Sequence, residues 1–159
     1  MVSTDIPRMG FDNISMDVLG PLRKTAKQHE YILTIQDLLT KYSLAILLKT
    51  ITSIDIADAF ICRFGSPRAI VTDQGSNFIS SLMKKIVKRF MIQQYMTTAY
   101  RPQSNGSIER SHHVTMEYLK MCIDKHSNRD DWIDLAMFSS NTAVHEGTKF
   151  SLDKFFSVV

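Results

Sequence analysis

The sequence predicts a single α/β domain in which helices flank a five-stranded mixed sheet. Three segments with strand patterns come first along the chain, and helices and strands then alternate. This order favours an antiparallel meander that continues into strand–helix–strand units of one sheet. A chain of 159 residues is long enough to bury one core. We therefore expect residues 1–10 to form a polar lead-in and residues 11–159 to form a single domain.

The first three predicted strands form the meander, over residues 11–49. In NISMDVLG, the apolar residues Ile14, Met16 and Val18 alternate with polar ones, which is the two-residue period of a strand. YILTIQDL and SLAILLK are two further apolar runs, and the short LTKY between them favours a hairpin.

The apolar period changes from strand to helix at the segment TSIDIADAFICRF. Thr52 and Asp55 can form a capping box at its start. RAIVTD then predicts a short buried strand. SSLMKKIVKRF predicts a second helix, whose inward residues should be Leu82, Ile86 and Phe90.

The rest of the chain predicts one more strand and two more helices. MIQQYMTT has the alternation of a strand, and a helix is expected over residues 107–123. The buried stripe of that helix should be Ile108, Thr115, Leu119 and Cys122. DDWIDLAMFSSNTAV predicts a last helix with Trp132, Leu135 and Ala136 facing inward.

Composition excludes two broad classes of protein. Hydrophobic residues make up 44% of the chain and charged residues 22%, which is typical of globular and not of disordered chains. No apolar run approaches the roughly 20 residues that a membrane-spanning helix needs, so we expect no membrane association. The net charge of +3 is compatible with a polyanionic partner without requiring one.

Three acidic residues occupy unusual positions, and two of these positions, a strand end and a helix N-terminus, are where open α/β sheets place ligand-binding groups. Asp17 lies within a strand, Asp73 follows the buried strand RAIVT, and Glu109 lies in the first turn of a helix. Each has a structural alternative when taken singly, because a strand-end Asp forms turns and a Glu at a helix start favours the helix dipole. That alternative is weakest for Asp17, since a carboxylate in mid-strand is disfavoured without a partner.

Taken together, the three acids favour a metal site. Carboxylates gathered in one place repel one another unless a cation neutralises them. Mg²⁺ prefers oxygen ligands, and two such ions about 3.5–4 Å apart can activate an attacking oxygen and stabilise a leaving oxygen at phosphorus. The pattern therefore predicts phosphodiester chemistry.

Several segments of the chain resemble the catalytic core of retroviral-type integrases, in the variety found in Gypsy/Ty3-class long-terminal-repeat retrotransposons. The sequence segments that carry this resemblance are ISMDVLGPL, YILTIQDLLTKYS, GSPRAIVTDQGSNF, AYRPQSNGSIERSHH and WIDLAMFSSNTAVHEGTKF. The 35 residues between Asp73 and Glu109 match the D,D-35-E spacing of that family. The resemblance covers residues 11–150.

The resemblance implies an RNase H-like fold and a polynucleotidyl transferase. It implies that Asp17, Asp73 and Glu109 are the catalytic residues and bind two Mg²⁺ or Mn²⁺ ions. The implied reactions are trimming of the 3′ ends of the element's DNA and transfer of those ends into target DNA. The implied partners are element and target DNA and further copies of the chain, at least as a dimer. The nucleus is the implied location.

By the same resemblance, the loop before Glu109 and the helix after it lie along the DNA. The residues expected to contact DNA are Tyr100, Pro102, Gln103, Asn105, Gly106, His112 and His113.

Departures from the family pattern leave one alternative function open, and a second alternative does not depend on them. The segment IADAFICRFG is about four residues short, and FSLDKFFSVV lacks the proline and the Leu-Phe-Gly-like motif expected at the end, so we expect a C-terminal truncation. One alternative is therefore an impaired, domesticated or fragmentary core that acts as a nucleic-acid-binding or multimerisation module. Another is an RNase H-type nuclease, for which Asp55 and Asp58 are the available acids on the first helix.

Overall fold

The computed structural model describes residues 9–96, 117–121 and 128–143, and the described strands form one five-stranded sheet. The strands are β1 (Asn13–Leu19), β2 (Tyr31–Asp37), β3 (Ser43–Leu48), β4 (Ala69–Thr72) and β5 (Gln93–Met96). The helices are α1 (Ser53–Phe64), α2 (Ser76–Ile79), α3 (Ser81–Arg89), α4 (117–121) and α5 (Arg129–Thr142).

The sheet is mixed, with the spatial order β3-β2-β1-β4-β5. β1 pairs antiparallel with β2, and β2 with β3, so the predicted meander is confirmed. β4 pairs parallel with both β1 and β5. The strands β1, β4 and β5 therefore end at the same edge of the sheet, which we call the carboxyl edge. The predicted five-stranded mixed sheet is confirmed.

Helices cover both faces of the sheet. On one face, α1, α2 and α3 bury a core made of Ile14, Met16, Leu33, Ile35, Leu48, Ile56, Phe60, Ile70, Phe78, Met83, Val87 and Ile92. On the other face, α4 and α5 pack on a smaller core made of Ile32, Ala45, Leu119, Ile133, Ala136 and Met137. None of the described helices has the length and hydropathy of a membrane-spanning segment.

The predicted boundaries of α1 are confirmed. The Thr52 hydroxyl accepts a hydrogen bond from the Asp55 amide, and the Asp55 carboxylate accepts one from the Thr52 amide, which completes the capping box. The helix ends at Gly65, whose φ of 80° lies in the left-handed region that glycine adopts without strain.

The predicted inward face of α3 is wrong by one position. Met83 and Val87 are buried, whereas Leu82 and Phe90 are 36% and 41% exposed. The Ser80 hydroxyl accepts a hydrogen bond from the Met83 amide and starts the helix at Ser81, while Phe90 is already the C-cap. Neighbouring helical residues differ by about 100° in direction, so a shift of one position moves the buried stripe from one side to another.

The predicted inward face of α5 is wrong in two of its three residues. Ala136 is buried as expected, but Trp132 and Leu135 are 43% and 54% exposed. The helix packs on β3 through a stripe that also contains Ile133 and Met137. Both stripes are apolar, and the sequence of the helix alone does not indicate which of them faces the sheet.

The structure describes only part of the expected helix over residues 107–123. Its described residue Leu119 is 1% exposed and belongs to the smaller core, as predicted. The other predicted stripe residues, Ile108, Thr115 and Cys122, lie outside the described residues. The last strand begins two residues later than predicted, at Gln93.

Candidate active site

Two of the three predicted acids lie side by side at the carboxyl edge. The parallel strands β1 and β4 pair in register through Met16 and Thr72, which is the last pair between them. Asp17 directly follows Met16, and Asp73 directly follows Thr72. Because adjacent strands are about 4.8 Å apart, this register places the two acidic residues next to each other.

The Asp17 side chain is on the sheet face that carries α4 and α5. Side chains alternate between the faces of a strand. Val18 packs against the core under α1–α3, and Leu19 packs against the core under α4 and α5. Asp17 therefore shares the face of Leu19, and it is partly exposed.

Each of the two carboxylates accepts one backbone hydrogen bond. The Val18 amide donates to Asp17 Oδ1 at 2.8 Å, and the Gly75 amide donates to Asp73 Oδ1 at 2.9 Å. Within the described part of the chain, neither Oδ2 atom accepts a hydrogen bond. Each acid is therefore oriented by one oxygen and has the other available to a ligand.

Gly75 approaches the Asp73 carboxylate closely. A Cβ atom at position 75 would lie 3.0 Å from Asp73 Oδ1 and 3.6 Å from Oδ2. Any side chain there would displace the carboxylate or lengthen its hydrogen bond to the amide. The Gln-Gly turn therefore contributes to the position of the acid.

Two polar side chains that the sequence did not single out fix the strands beside the acids. The Thr34 hydroxyl donates to the backbone oxygen of Asp17 at 3.1 Å. The Gln94 amide donates to the Thr72 hydroxyl at 3.2 Å and to the Phe78 carbonyl at 3.1 Å, which joins β4, β5 and α2. Their only signal in the sequence is a polar residue within a strand.

The charge at this edge favours a bound cation. Among the described residues, no lysine or arginine forms an ion pair with Asp17 or Asp73. Two neighbouring carboxylates without a counter-charge repel each other, and a hard cation with oxygen ligands would relieve that repulsion. No group of three potential metal ligands occurs within the described ranges.

The third predicted ligand, Glu109, lies outside the described residues. The same holds for all the predicted DNA contacts, which are Tyr100, Pro102, Gln103, Asn105, Gly106, His112 and His113. Their roles stay predictions.

Two acids elsewhere serve the fold. Asp37 is fully buried and accepts hydrogen bonds from the Phe11 amide and from the amide and hydroxyl of Thr40. Asp55, an acid that the RNase H alternative would need, accepts hydrogen bonds from the hydroxyls of Thr50 and Thr52. These bonds lower the pKa of Asp55. Its carboxylate is thus committed to the helix cap.

The chain is similar to one family model and to several known proteins. A family model described as integrase core domain matches residues 11–102. The chain is 32% identical over 148 residues to the retrovirus-related Pol polyprotein from transposon 412 of Drosophila melanogaster, an alignment that covers 89% of the chain and 12% of the polyprotein. It is 25% identical over 139 residues to Gypsy retrotransposon integrase-like protein 1 of Homo sapiens, covering 86% of the chain and 27% of that protein. The chain thus spans a small part of these relatives.

A solved structure confirms the fold. The catalytic core domain of HTLV-2 integrase, in complex with magnesium and in a trimeric form, superposes with a TM-score of 0.67. The match covers 91% of this chain and 95% of that domain at 20% sequence identity. The predicted RNase H-like fold is therefore confirmed.

Proposed function

Because the chain belongs to the integrase core domain family, we propose that it carries out metal-dependent 3′-end processing and strand transfer on retrotransposon DNA. The observation that supports this proposal most directly is the register of β1 and β4, which sets Asp17 beside Asp73. Joining to chromosomal DNA would place this activity in the nucleus.

The proposed metal ligands are Asp17, Asp73 and Glu109. The two described acids fit this role, because each has an Oδ2 atom that accepts no hydrogen bond from the described residues. When a pair of Mg²⁺ or Mn²⁺ ions is bound, it supplies charge stabilisation to the attacking and leaving oxygens at phosphorus. The HTLV-2 core domain that shares this fold was solved with magnesium.

The chain's own groups would hold the acids in place during the reaction. The amides of Val18 and Gly75 fix one oxygen of each carboxylate. Thr34 and Gln94 fix the strands on which the acids lie. The proposed DNA contacts would then orient the phosphodiester, and they are Tyr100, Pro102, Gln103, Asn105, Gly106, His112 and His113. Orientation of this kind removes much of the entropic barrier to reaction.

Cleavage and joining of a labelled DNA duplex in the presence of Mn²⁺ test the proposal. We expect activity from the wild type, and none from Asp73→Asn, which keeps the shape of the side chain and loses its charge. Asp58→Asn is the matched control, since Asp58 is exposed on α1 and should leave the activity unchanged. Equal inactivity of the wild type and Asp73→Asn would favour the non-catalytic binding module instead.

We further propose that the core associates with copies of itself through the outer face of α5. Trp132, Leu135 and Phe138 recur at every third residue and are 43%, 54% and 66% exposed. Three large apolar side chains on one helical stripe form a patch of the kind that marks protein interfaces. The related HTLV-2 core was solved in a trimeric form, so a second copy is the proposed occupant.

Sedimentation velocity over a range of protein concentrations tests this interface. We expect Leu135→Ser combined with Phe138→Ser to weaken self-association at least tenfold, or about 1.4 kcal/mol. Met121→Ser is the control, because Met121 is 57% exposed on α4 and the change removes exposed apolar surface elsewhere. An unchanged sedimentation profile of the double variant would contradict the proposal.

A further inference from the structure

The outward face of α3 carries four cations. We call the exposed residues Lys84, Lys85, Lys88 and Arg89 the α3 cationic face. They lie opposite the buried residues Met83 and Val87, which attach the helix to the core under α1–α3. This sheet face is the opposite of the one that carries the Asp17 side chain.

No acid balances these charges along the chain. After Asp73, the next acidic residue in the sequence is Glu109. Across the described ranges, none of the four cations forms an ion pair. An ordinary solvated helix face mixes acids and bases, and here only one sign is present.

The arrangement disfavours the helix itself. Lys84 and Lys88 are four residues apart, as are Lys85 and Arg89, and like charges at this spacing destabilise a helix. Lys88 and Arg89 lie in the last turn, where the helix dipole offsets their cost. Lys84 and Lys85 have no such compensation. The helix dipole therefore offsets the cost of two of the cations and not of the other two.

We propose that the α3 cationic face binds the phosphates of duplex DNA without reading its sequence. Lysine and arginine side chains bind phosphates in this way and position a duplex rather than select bases. The inference rests on the proposed function only in that DNA is the polyanion that this core meets. Because α3 and the Asp17 side chain are on opposite faces, this contact is separate from the candidate active site.

Salt-dependent binding tests the proposal directly. Fluorescence anisotropy would follow binding of the chain to an arbitrary duplex of about 20 bp, in EDTA, over a series of NaCl concentrations. We expect Lys84→Gln combined with Lys85→Gln to reduce the slope of log K against log salt by about 1.8, since each lost phosphate contact accounts for about 0.9. Lys24→Gln combined with Lys49→Gln removes the same charge from exposed positions off α3 and should change the slope much less.

An equal slope change in both double variants would overturn the proposal, because net charge alone would then explain binding. An unchanged slope in both would overturn it as well. Anionic vesicles containing about 30% phosphatidylserine provide a further comparison. If the α3 variant loses vesicle binding but keeps duplex binding, the face is a membrane contact and the proposal fails.

Charge reversal separates binding from folding. Lys84→Glu combined with Lys85→Glu converts both like-charge pairs into attractive pairs, so we expect Tm to rise by about 1–4 °C. Duplex binding should fall more than tenfold in the same variant. A more stable variant that binds DNA normally would overturn the proposal, and if this variant fails to fold, the glutamine pair carries the test.

The inference and the proposed function can fail independently. Asp73→Asn should lose Mn²⁺-dependent activity and keep the wild-type salt slope. If the wild type is inactive but its slope depends on Lys84 and Lys85, the proposed function fails and the α3 contact stands. If the wild type is active and its salt slope does not depend on Lys84 and Lys85, the α3 contact fails and the proposed function stands.

Discussion

Three aspartates of the sheet differ in how many hydrogen-bond donors surround them. Asp37 accepts three hydrogen bonds and is fully buried, whereas Asp17 and Asp73 accept one each from the described residues. A carboxylate with several donors is stabilised as an anion and holds the backbone that supplies them. A carboxylate with a free oxygen beside a second one is destabilised until a cation binds.

Asp37→Asn should therefore destabilise the fold by about 2–4 kcal/mol, because an amide nitrogen would face at least one of the three donors. Thermal or urea denaturation measures this loss. The change should leave metal-dependent activity of the folded fraction intact, since Asp37 lies at the opposite edge of the sheet from Asp17. A loss below about 0.5 kcal/mol would contradict the structural role.

Asp73→Asn should have the opposite effect on stability. In EDTA we expect no loss, or a gain of up to about 1 kcal/mol, because the repulsion between neighbouring carboxylates is removed. Added Mn²⁺ should raise the Tm of the wild type, since a ligand of the native state stabilises it, and should raise that of the variant much less. Equal Mn²⁺ shifts in both proteins would contradict metal binding at this edge.

At the scale of elements, α5 has two apolar stripes that face different surroundings. Ile133, Ala136 and Met137 face the sheet, while the exposed stripe that begins at Trp132 faces outward. The cost of truncating a side chain depends on the cavity that it leaves, and an exposed side chain leaves none.

Ile133→Ala should cost about 2–4 kcal/mol, because Ile133 is 7% exposed and packs in the smaller core. Trp132→Ala should cost less than about 1.5 kcal/mol although it removes a larger group, because much of the indole is already in water. Denaturant midpoints at low protein concentration, where self-association is weak, compare the two. The reverse order would show that Trp132 and not Ile133 holds α5 to the sheet.

The end of α5 is joined to the edge strand β3 by one side chain. Asn141 Oδ1 accepts from the Ser43 amide at 2.9 Å, and Asn141 Nδ2 donates to the Ser43 carbonyl at 2.9 Å. This pair occupies backbone groups that an edge strand would otherwise leave open.

Asn141→Asp should destabilise the protein more than Asn141→Ala does. The alanine loses two hydrogen bonds, worth about 1–3 kcal/mol together. The aspartate keeps the acceptor for the Ser43 amide but sets an anionic oxygen against the Ser43 carbonyl, which adds repulsion. Chemical denaturation of the three proteins at neutral pH gives the order, and a milder effect of the aspartate would argue against the reciprocal pair.

At the scale of the whole molecule, the connection from β1 to β2 is tied to the start of α5. His29 Nδ1 lies 2.7 Å from Asp130 Oδ1, across 101 positions of sequence. The buried Arg129 donates to the carbonyls of Arg23 and His29. These contacts fix the position of α5 on the sheet from its first turn, in addition to the apolar stripe.

This tie predicts sensitivity to acid. Burial raises the pKa of Asp130, but hydrogen bonds, of which the strongest is that from His29, outweigh it and hold the pKa below the usual 3.8. A carboxyl whose pKa is lower in the folded state stabilises the protein above the unfolded value and loses that contribution as pH falls through the folded value. The Tm should therefore fall on acidification below about pH 4, and it should fall less steeply in Asp130→Asn. Parallel pH profiles of the two proteins would contradict this contribution.

The sequence predicts what depends on local pattern. The antiparallel meander and the capping box of α1 follow from alternation and from the spacing of Thr52 and Asp55, and both are confirmed. The predicted inward faces are wrong for different reasons, because the apolar stripe of α3 is broad enough to be centred on either of two neighbouring positions, whereas α5 is apolar on two sides. Which side is buried depends on the partner element, as Met83 and Ile133 illustrate.

The acids of the candidate site can be predicted from the sequence, but the hydrogen bonds that hold their strands in place cannot. The sequence places Asp73 at the end of a buried strand, where open α/β sheets hold ligand-binding groups, and places Asp17 within another strand. The hydrogen bonds from Thr34 and Gln94 join residues 17 and 22 positions apart, for which no local pattern exists. The contact of His29 with Asp130 also joins distant positions, so no local pattern predicts it.

The turn between β2 and β3 lies at the end of the sheet remote from Asp17 and Asp73, because β2 runs antiparallel to β1. Leu39 projects from that turn and is 37% exposed. A tether attached through position 39 would anchor the molecule to a solid support with its acidic edge turned toward the bulk solution. The position of this turn thus provides an attachment site for surface-based measurements.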